Sequence, residues 1–238
     1  TLTDDAAHGR FLWKGIALYN RAGDLQRVIA ALELFVDDRP RDPATPDALL
    51  QLGQAYQAAG LLDRAIASYQ TIQFNHRTSI AASKSAVLLA QAYIAKGPEF
   101  HAKAEHVLKG VVEGVVGDQN MLTPDAAEFR QSLLELAQLY YRTERYEEAI
   151  SRLEEMTVRY GTDERLGQLV FLMADSYRKS ARMLDARVAS ADRTDALQQA
   201  LAAEEAIKAK RHRLGKAREL YDRVIEVYRT TPATGELD

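Results

Sequence analysis

The sequence contains no cysteine and only six prolines among its 238 residues. Without cysteine the chain cannot form a disulfide framework, a thiolate metal site or a thiol nucleophile. Basic and acidic residues number 31 and 34, a net charge of −3, which argues against a globally basic nucleic-acid-binding protein. No apolar run approaches the ~20 residues that a membrane-spanning helix needs. These absences exclude thiol chemistry and disfavour binding to nucleic acid or direct membrane insertion.

The chain is instead 47% apolar and 27% charged, a balance that suits a folded protein rather than a disordered one. Alanine, leucine, glutamate and arginine dominate over valine, isoleucine and threonine, which favours helix over strand. Thr1 stands where an initiator methionine would, so we expect a processed or engineered terminus. The compartment stays open between the bacterial envelope and the cytoplasm.

Five tyrosines recur at nearly constant spacing. The intervals are 37, 37, 47 and 37 residues, so three are identical and one carries ten extra residues. These tyrosines are Tyr19, Tyr56, Tyr93, Tyr140 and Tyr177. A fixed period of this size is the sequence signature of a repeat protein.

The clearest repeat has Leu52-Gly53 followed by Tyr56, then Gly60, then Ala65. This pattern resembles the tetratricopeptide repeat (TPR), a helix–turn–helix unit of about 34 residues. The resemblance implies an all-α fold, an α–α superhelix of about five TPR helix hairpins. A period of 37 residues is similar to that of TPR proteins of the bacterial envelope, such as the β-barrel-assembly lipoprotein and the Tol–Pal-associated protein.

The register predicts a single TPR domain over residues 1–238. Its repeats are expected at about 9–45, 46–82, 83–122, 123–162 and 163–230. Small residues recur where paired helices should cross, because their backbones must approach closely there. They are Gly53, Ala90, Ala137 and Ala174 on the first helices and Ala65, Ala104, Ala149 and Ala217 on the second helices.

Glycine is expected at the turn inside each hairpin, where a positive φ favours it. Gly23, Gly60 and Gly97 take this position in the first three repeats, whereas Glu144 takes it in the fourth. Ile16 is a second departure, because it replaces a small residue in the first repeat. These departures concern the local geometry of the first and fourth repeats.

Three segments predict helix starts with threonine as N-cap: Thr45-Pro46-Asp47, Thr123-Pro124-Asp125 and Thr162-Asp163-Glu164. The first two place proline at the first helical position. The segment between residues 113 and 121 is glycine-rich and is expected to form a loop.

The last repeat carries an insertion of about 31 residues, at about 182–212. Apolar residues within and after it recur every three, four or seven positions, which indicates a helical face. Glu204 and Lys208 are placed to pair at i,i+4. We expect two extended helices that turn near 192–195, with a second helix over 195–229 of about 50 Å. The insertion would either pack on the array or project as an arm for a partner.

The first helices of stacked TPRs line a concave groove, the usual binding surface of such proteins. One position predicted to face this groove is apolar in all five repeats: Trp13, Leu50, Val87, Leu134 and Phe171. The position four residues later is polar in four repeats: Gln54, Gln91, Gln138 and Asp175. Glutamine can bond the backbone of an extended peptide, and apolar residues can accept its side chains. The alternative is that the apolar series is core and the glutamines are solvated.

Trp13 is the best single candidate for an anchor in this groove, because buried tryptophan often carries interface energy.

No catalytic, metal-binding or cofactor-binding pattern stands out. His101 and His106 are five residues apart on an expected helix, which turns them to different faces, unlike a metal-binding pair. No serine lies in a nucleophile elbow, and no glycine-rich phosphate loop follows a strand. The six basic residues between positions 208 and 218 spread around a helix and are expected to be solvated, the alternative being contact with an acidic protein or with phosphates. We therefore predict a protein that is not an enzyme.

The sequence thus predicts a non-catalytic interaction scaffold that binds a peptide or protein segment in the concave groove. Two alternatives stay open. The array could be a structural or assembly module that self-associates into a homo-oligomer, or the regulatory domain of a larger enzyme.

Overall fold

The computed structural model describes residues 2–114, 126–161, 165–190 and 196–230. All regular secondary structure in these four ranges is helical, which confirms the predicted all-α class. The first five helices are α1 (Leu2–Ala22), α2 (Leu25–Asp38), α3 (Thr45–Ala58), α4 (Leu62–Asn75) and α5 (Ile80–Lys96). A short 3-10 turn (Pro98–Phe100) leads into α6 (His101–Val112). The remaining helices are α7 (Ala127–Arg142), α8 (Tyr146–Arg159), α9 (Leu166–Ser190) and α10 (Ala196–Thr230).

The chain divides into two compact units, Thr1–Ser132 and Leu133–Asp238, which we call the N-terminal and C-terminal units. In the N-terminal unit each helix packs against the next, from α1 to α6, and the 3-10 turn contacts both α5 and α6. In the C-terminal unit α8 packs on α9, and α9 packs along α10. The predicted single domain and its repeat boundaries stay predictions.

The turns inside the hairpins use the left-handed conformation that the sequence predicts. Gly23 and Gly60 have φ of 68° and 75°, and Glu144 adopts a φ of 61° at the same place in the fourth repeat. Glu144 is therefore a non-glycine residue held in a conformation that costs about 1–2 kcal/mol for a residue with a Cβ.

A shared backbone hydrogen bond closes these three turns. The residue after the left-handed one donates its N–H to the carbonyl of the repeat tyrosine. Leu61 donates to Tyr56 at 2.8 Å, and Arg145 donates to Tyr140 at 2.8 Å. The same bond joins Asp24 to Tyr19 at 3.1 Å. This bond belongs to the motif that ends many helices at glycine, so it holds Glu144 in place as it holds Gly60.

The small residues lie at buried helix crossings, as expected. The alanines at these positions are at most 3% exposed: Ala65, Ala90, Ala104, Ala137, Ala149, Ala174 and Ala217. Gly53 is the tightest case, because a Cβ there would overlap the ring of Tyr69, with Cδ1 only 2.8 Å away. Ile16 is 2% exposed and fits the core of the N-terminal unit.

The predicted cap at Thr45 is wrong. Ala44 is the N-cap of α3, and Thr45 is already helical, with Pro46 in the first turn. The Thr45 hydroxyl donates instead to the carbonyl of Arg39. Asp42 supplies the local turn, since its carboxylate accepts from the N–H of Ala44 at 2.9 Å. The other two predicted caps, nearly all of the predicted loop and the predicted turn at 192–195 lie outside the described residues.

The last hairpin has the two long helices that the periodicity predicts. Helix α9 has 25 residues and α10 has 35, starting at Ala196 and ending at Thr230. The predicted pair within α10 is present, with Lys208 Nζ 2.8 Å from Glu204 Oε1.

Candidate functional site

Successive repeats are joined by a hydrogen bond to the hydroxyl of the repeat tyrosine. Each partner lies 23 residues earlier in the chain, on the second helix of the preceding repeat. The Tyr56 hydroxyl donates to Glu33. Gln70 donates to the Tyr93 hydroxyl at 2.9 Å, and the Tyr177 hydroxyl donates to Glu154 at 2.7 Å. This contact fixes where the first helices stand within each unit.

Burial and the neighbouring Glu33 carboxylate raise the pKa of Tyr56 to about 12, so this tyrosine remains a hydrogen-bond donor over the physiological range. Sequence reasoning missed the acidic or amide partners. The signal was available, because Glu33 and Gln70 are themselves 37 residues apart, like the tyrosines that they contact.

In the N-terminal unit, two of the predicted groove residues are buried. Leu50 and Val87 are 9% and 6% exposed, so their side chains contribute mainly to helix packing. Trp13 is half-buried, and its ring centroid lies 5.3 Å from that of Phe35.

The polar residues of the same unit differ in exposure. Gln54 is exposed and Gln91 is half-buried. The accessible part of the predicted N-terminal surface therefore consists of the edge of Trp13, the amide of Gln54 and part of Gln91.

In the C-terminal unit, the structure brings three predicted residues together in one cleft of about 410 Å³. The predicted residues are Leu134 and Gln138 of α7 and Phe171 of α9. The other lining residues are Arg165, Gln168, Leu169, Leu172 and Tyr228. Three helices therefore contribute to this cleft, which we call the α7–α9–α10 cleft.

The α7–α9–α10 cleft has a buried apolar floor and exposed aromatic walls. Leu134 and Leu169 are 6% and 3% exposed, whereas Phe171 and Tyr228 are 52% and 62% exposed. Phe171 is held from one side by Tyr221, with the ring centroids 5.6 Å apart in an edge-on arrangement. Large exposed aromatic side chains beside a buried apolar floor are features of protein-binding surfaces.

Tyr228 and Gln168 are cleft residues that sequence reasoning missed. Tyr228 reaches the cleft because it packs over Gly167, where a Cβ would lie 3.5 Å from the tyrosine ring. A signal existed, because Tyr228 lies four residues after Val224 and seven after Tyr221, which continues the apolar periodicity of the last helix. The periodicity predicts that Tyr228 lies on the apolar face of α10, but it does not predict which helix that face contacts.

Asp175, the fourth predicted polar groove residue, is buried in a hydrogen-bond network. Its carboxylate accepts from the Tyr141 hydroxyl at 2.5 Å and from the Tyr221 hydroxyl at 3.2 Å. Arg178 Nε donates to it at 2.8 Å, and Lys179 Nζ lies 3.5 Å away. The network ties α7 to α9 and α10 directly behind Phe171.

Burial alone would raise the pKa of Asp175. The hydrogen bonds from Tyr141, Arg178 and Tyr221, with the charge of Arg178, outweigh burial and hold the pKa below its ordinary value. Asp175 is therefore ionised at neutral pH, and its paired carboxylate supports the wall of the cleft.

A second cavity of about 440 Å³ lies at the turn between α7 and α8, beside Met183 and Arg213. Its charges are paired, since Arg213 lies 2.8 Å from Glu147, which also accepts from the Ser180 hydroxyl. Among the described residues, no three His, Asp or Glu side chains are grouped so that they could hold a metal ion. The described helices include none that is long and apolar enough to cross a membrane.

The family model described as tetratricopeptide repeat matches residues 47–76, which lie on α3 and α4. No curated protein sequence matches the chain.

Several solved structures share the fold. MamA protein is 14% identical, with 97% of this chain and 98% of that chain covered at a TM-score of 0.54. A putative kinesin light chain of TPR-like repeats from Podosopora anserina is 20% identical, with 87% and 95% covered at 0.56. A TPR repeats protein from Bacteroides fragilis is 13% identical, with 93% and 95% covered at 0.51. At these identities the likeness shows the fold alone.

Proposed function

We propose that this tetratricopeptide repeat protein is a non-catalytic protein–protein interaction scaffold that binds an apolar protein segment in the α7–α9–α10 cleft. The observation that carries the proposal is the pair of exposed aromatic residues, Phe171 and Tyr228, above the buried floor of Leu134 and Leu169. The TPR fold is typical of interaction scaffolds, which supports the class of function.

The apolar content of the cleft favours an apolar or aromatic side chain of the partner. Placing such a side chain between Phe171 and Tyr228 removes apolar surface from water on both sides, at about 25 cal/mol per Å². The Tyr221 ring and the network of Asp175 hold Phe171 before the partner arrives. Less ordering is then required on binding, so more of the contact energy appears as affinity.

The polar groups of the cleft favour a segment that presents its backbone. Gln138 and Gln168 each carry an amide that can donate and accept. The Gln138 carbonyl oxygen accepts from Arg142 at 3.3 Å, which orients its amide and retains the –NH2 donor for a partner carbonyl. Two amides beside an apolar floor suit an extended peptide, whose side chains and backbone alternate in contact.

In the N-terminal unit the proposal extends to Trp13 and Gln54, with Gln91 at the margin. The burial of Leu50 and Val87 supports their role as packing residues that shape this surface rather than touch a partner. We expect the N-terminal surface to bind more weakly than the cleft, because it exposes less aromatic area.

The test is selection of displayed random peptides against the wild-type chain, followed by binding measurements on two matched variants. Phe171→Asp places a charge in the cleft. Val158→Asp places the same charge at a side chain that is 84% exposed on α8 and does not line the cleft. Phe171→Asp also removes the ring contact with Tyr221, so thermal melts of both variants first check that each is folded at the temperature of the binding measurement.

We expect the selected peptides to carry apolar or aromatic anchors. Their affinity should fall at least about tenfold with Phe171→Asp, a change of about 1.4 kcal/mol in binding free energy. With Val158→Asp the affinity should be unchanged. Peptides that bind both variants equally, or no enrichment at all from the wild-type selection, would count against the cleft.

A further inference from the structure

A carboxylate, a tyrosine and an arginine meet at the junction where the second repeat packs on the first. Glu33 of α2 accepts from the Tyr56 hydroxyl of α3, and Arg64 of α4 lies 3.2 Å from the same carboxylate. The Arg64 guanidinium also stands 5.5 Å from the centre of the Tyr56 ring. One repeat therefore supplies the acid, and the next repeat supplies the tyrosine–arginine pair.

The first repeat displays a tyrosine–arginine pair at the same positions. Tyr19 and Arg27 lie 37 residues before Tyr56 and Arg64. Arg27 stands 5.7 Å from the Tyr19 ring centre, and its side chain is 69% exposed. The tyrosine and the arginine are thus arranged as in the second repeat, although Arg27 pairs at 3.3 Å with Asp24 of its own repeat, whereas Arg64 pairs with Glu33 of the preceding one.

Two large apolar residues flank this pair on α1. Phe11 and Leu18 are 71% and 62% exposed. In the later repeats the equivalent residues are all buried: Ala48, Ala55, Ser85, Ala92, Ser132, Leu139, Leu169 and Ser176. The face of α1 that carries Phe11, Leu18 and Tyr19 therefore corresponds to the face that a second helix covers in the repeats that follow.

The last helix presents the complementary acid. Glu33, Gln70 and Glu154 lie five residues after Val28, Ala65 and Ala149, and Asp222 likewise lies five residues after Ala217, whereas α6 has Lys109 at this position. The Asp222 side chain is 67% exposed, with Arg218 at 3.9 Å as its neighbour. Asp222 thus stands on α10 where Glu33 stands on α2.

The same face of α10 also presents an apolar residue in register. Gln73 of α4 donates to the Ser85 hydroxyl at 2.8 Å, across the junction of two repeats. Ile225 occupies the Gln73 position on α10, and Phe11 occupies the Ser85 position on α1. Ile225 is 49% exposed. The positions that form the polar Gln73–Ser85 contact between repeats are therefore occupied by two apolar residues, Ile225 on α10 and Phe11 on α1.

We propose that the α10 face of one copy of this chain packs on the α1 face of a second copy. Asp222 accepts from Tyr19 and pairs with Arg27 of the neighbouring copy, and Ile225 packs against its Phe11. The contact is heterologous, joining two different faces of the same protein. It uses only the local geometry of each face and lies outside the α7–α9–α10 cleft.

A second copy fits these faces better than an unrelated helix because both charge and register match. On α10 the acid and the apolar residue lie five and eight residues after Ala217, as Glu33 and Val36 lie five and eight residues after Val28 on α2. Arg218 departs from the isoleucine that stands at its position in three other repeats, as Ile29, Ile66 and Ile150. The Arg218–Asp222 pair and the Arg27–Asp24 pair both compete with the contact and keep the association weak.

Sedimentation velocity over a concentration series tests the proposal with two charge reversals. In Asp222→Arg an arginine meets Arg27, and in Arg27→Asp an aspartate meets Asp222. Each variant alone should associate about tenfold more weakly than wild type or worse. Mixing the two variants restores opposite charges at both contacts, so the mixture should regain the wild-type association.

The matched control is Glu219→Arg, one turn before Asp222 on α10, at a position where Ala30, Ala67 and Ser151 are exposed in other repeats. It should leave association unchanged, and Arg218→Ile should strengthen it. A wild-type chain that stays at the mass of a single copy up to the highest soluble concentration would overturn the proposal. So would self-association without recovery in the mixture. Phe171→Asp should leave association intact, so this test is independent of the cleft.

Discussion

The residue two positions before the repeat tyrosine has opposite surroundings in the second and the fifth repeats. In the second repeat, in the N-terminal unit, it is Gln54, which is exposed, and in the fifth repeat, in the C-terminal unit, it is Asp175, which is buried. The repeat register makes these positions equivalent, yet only Asp175 is enclosed by three hydrogen-bonded side chains from α7, α9 and α10. The fifth repeat therefore uses as structural support a position that the second repeat leaves to solvent.

The helix crossings of the second and fourth repeats are filled by different pairs of residues. In the N-terminal unit Gly53 accommodates the ring of Tyr69, which is fully buried. In the C-terminal unit Ala137 and Leu153 occupy the same two positions and are also fully buried. A glycine with a large partner and an alanine with a smaller one thus fill similar space. At these crossings the combined volume of the two partner residues is therefore kept, although the residue types differ.

The largest expected effect comes from removing the buried carboxylate of the C-terminal unit. We expect Asp175→Ala to lower the free energy of unfolding by about 3 kcal/mol, because several hydrogen bonds to a charged group are lost together. Gln54→Ala at the equivalent exposed position should change it by less than about 0.5 kcal/mol. Urea titrations monitored by circular dichroism measure both. Equal effects would contradict the contrast between the units.

Acid should remove the Asp175 contribution. The pKa of this carboxyl is lowered in the folded protein from its ordinary value of 3.8, so its stabilisation is complete above that value. The stabilisation is lost as pH falls through the lowered folded value. The difference in unfolding free energy between wild type and Asp175→Asn should therefore shrink below pH 3.8. A difference that stays constant down to the acid limit would show that charge is not its source.

The crossing of the N-terminal unit offers a smaller, coupled effect. Gly53→Ala should cost about 2 kcal/mol through overlap with Tyr69, and Tyr69→Leu should cost about the same by leaving a void. The double variant reproduces the alanine–leucine pair of other repeats, such as Ala137 with Leu153. It should therefore cost less than the sum by about 1–3 kcal/mol. Additive losses in a double-mutant cycle would show that the two positions do not share volume.

Much of the fold was predictable because the tyrosine period and the buried alanines depend on local spacing alone. The environment of Asp175 was not, because its partners Tyr141 and Tyr221 lie 34 and 46 residues away and reach it only through packing. The prediction of Thr45 as an N-cap was wrong for a local reason, because the turn made by Asp42 places the N-cap of α3 one residue earlier, at Ala44. The cleft was half predictable: Leu134, Gln138 and Phe171 follow the register, whereas Tyr228 follows from the length of α10.

The smallest expected effect is a gain, and it compares the two turns directly. Glu144 has a φ of 61° in the C-terminal unit, and Gly60 has a φ of 75° at the same place in the N-terminal unit. Glu144→Gly should raise the free energy of unfolding by about 1 kcal/mol, because glycine adopts this conformation without a Cβ clash. Gly60→Glu should lower it by a similar amount. Thermal melts of the two variants measure the expected gain and the expected loss of stability.

Because the Arg145 and Leu61 N–H groups make the same hydrogen bond at both turns, the exchange isolates the backbone conformation from the bond that holds it. A loss of stability in Glu144→Gly would show that the Glu144 side chain, rather than the closing bond, stabilises the turn.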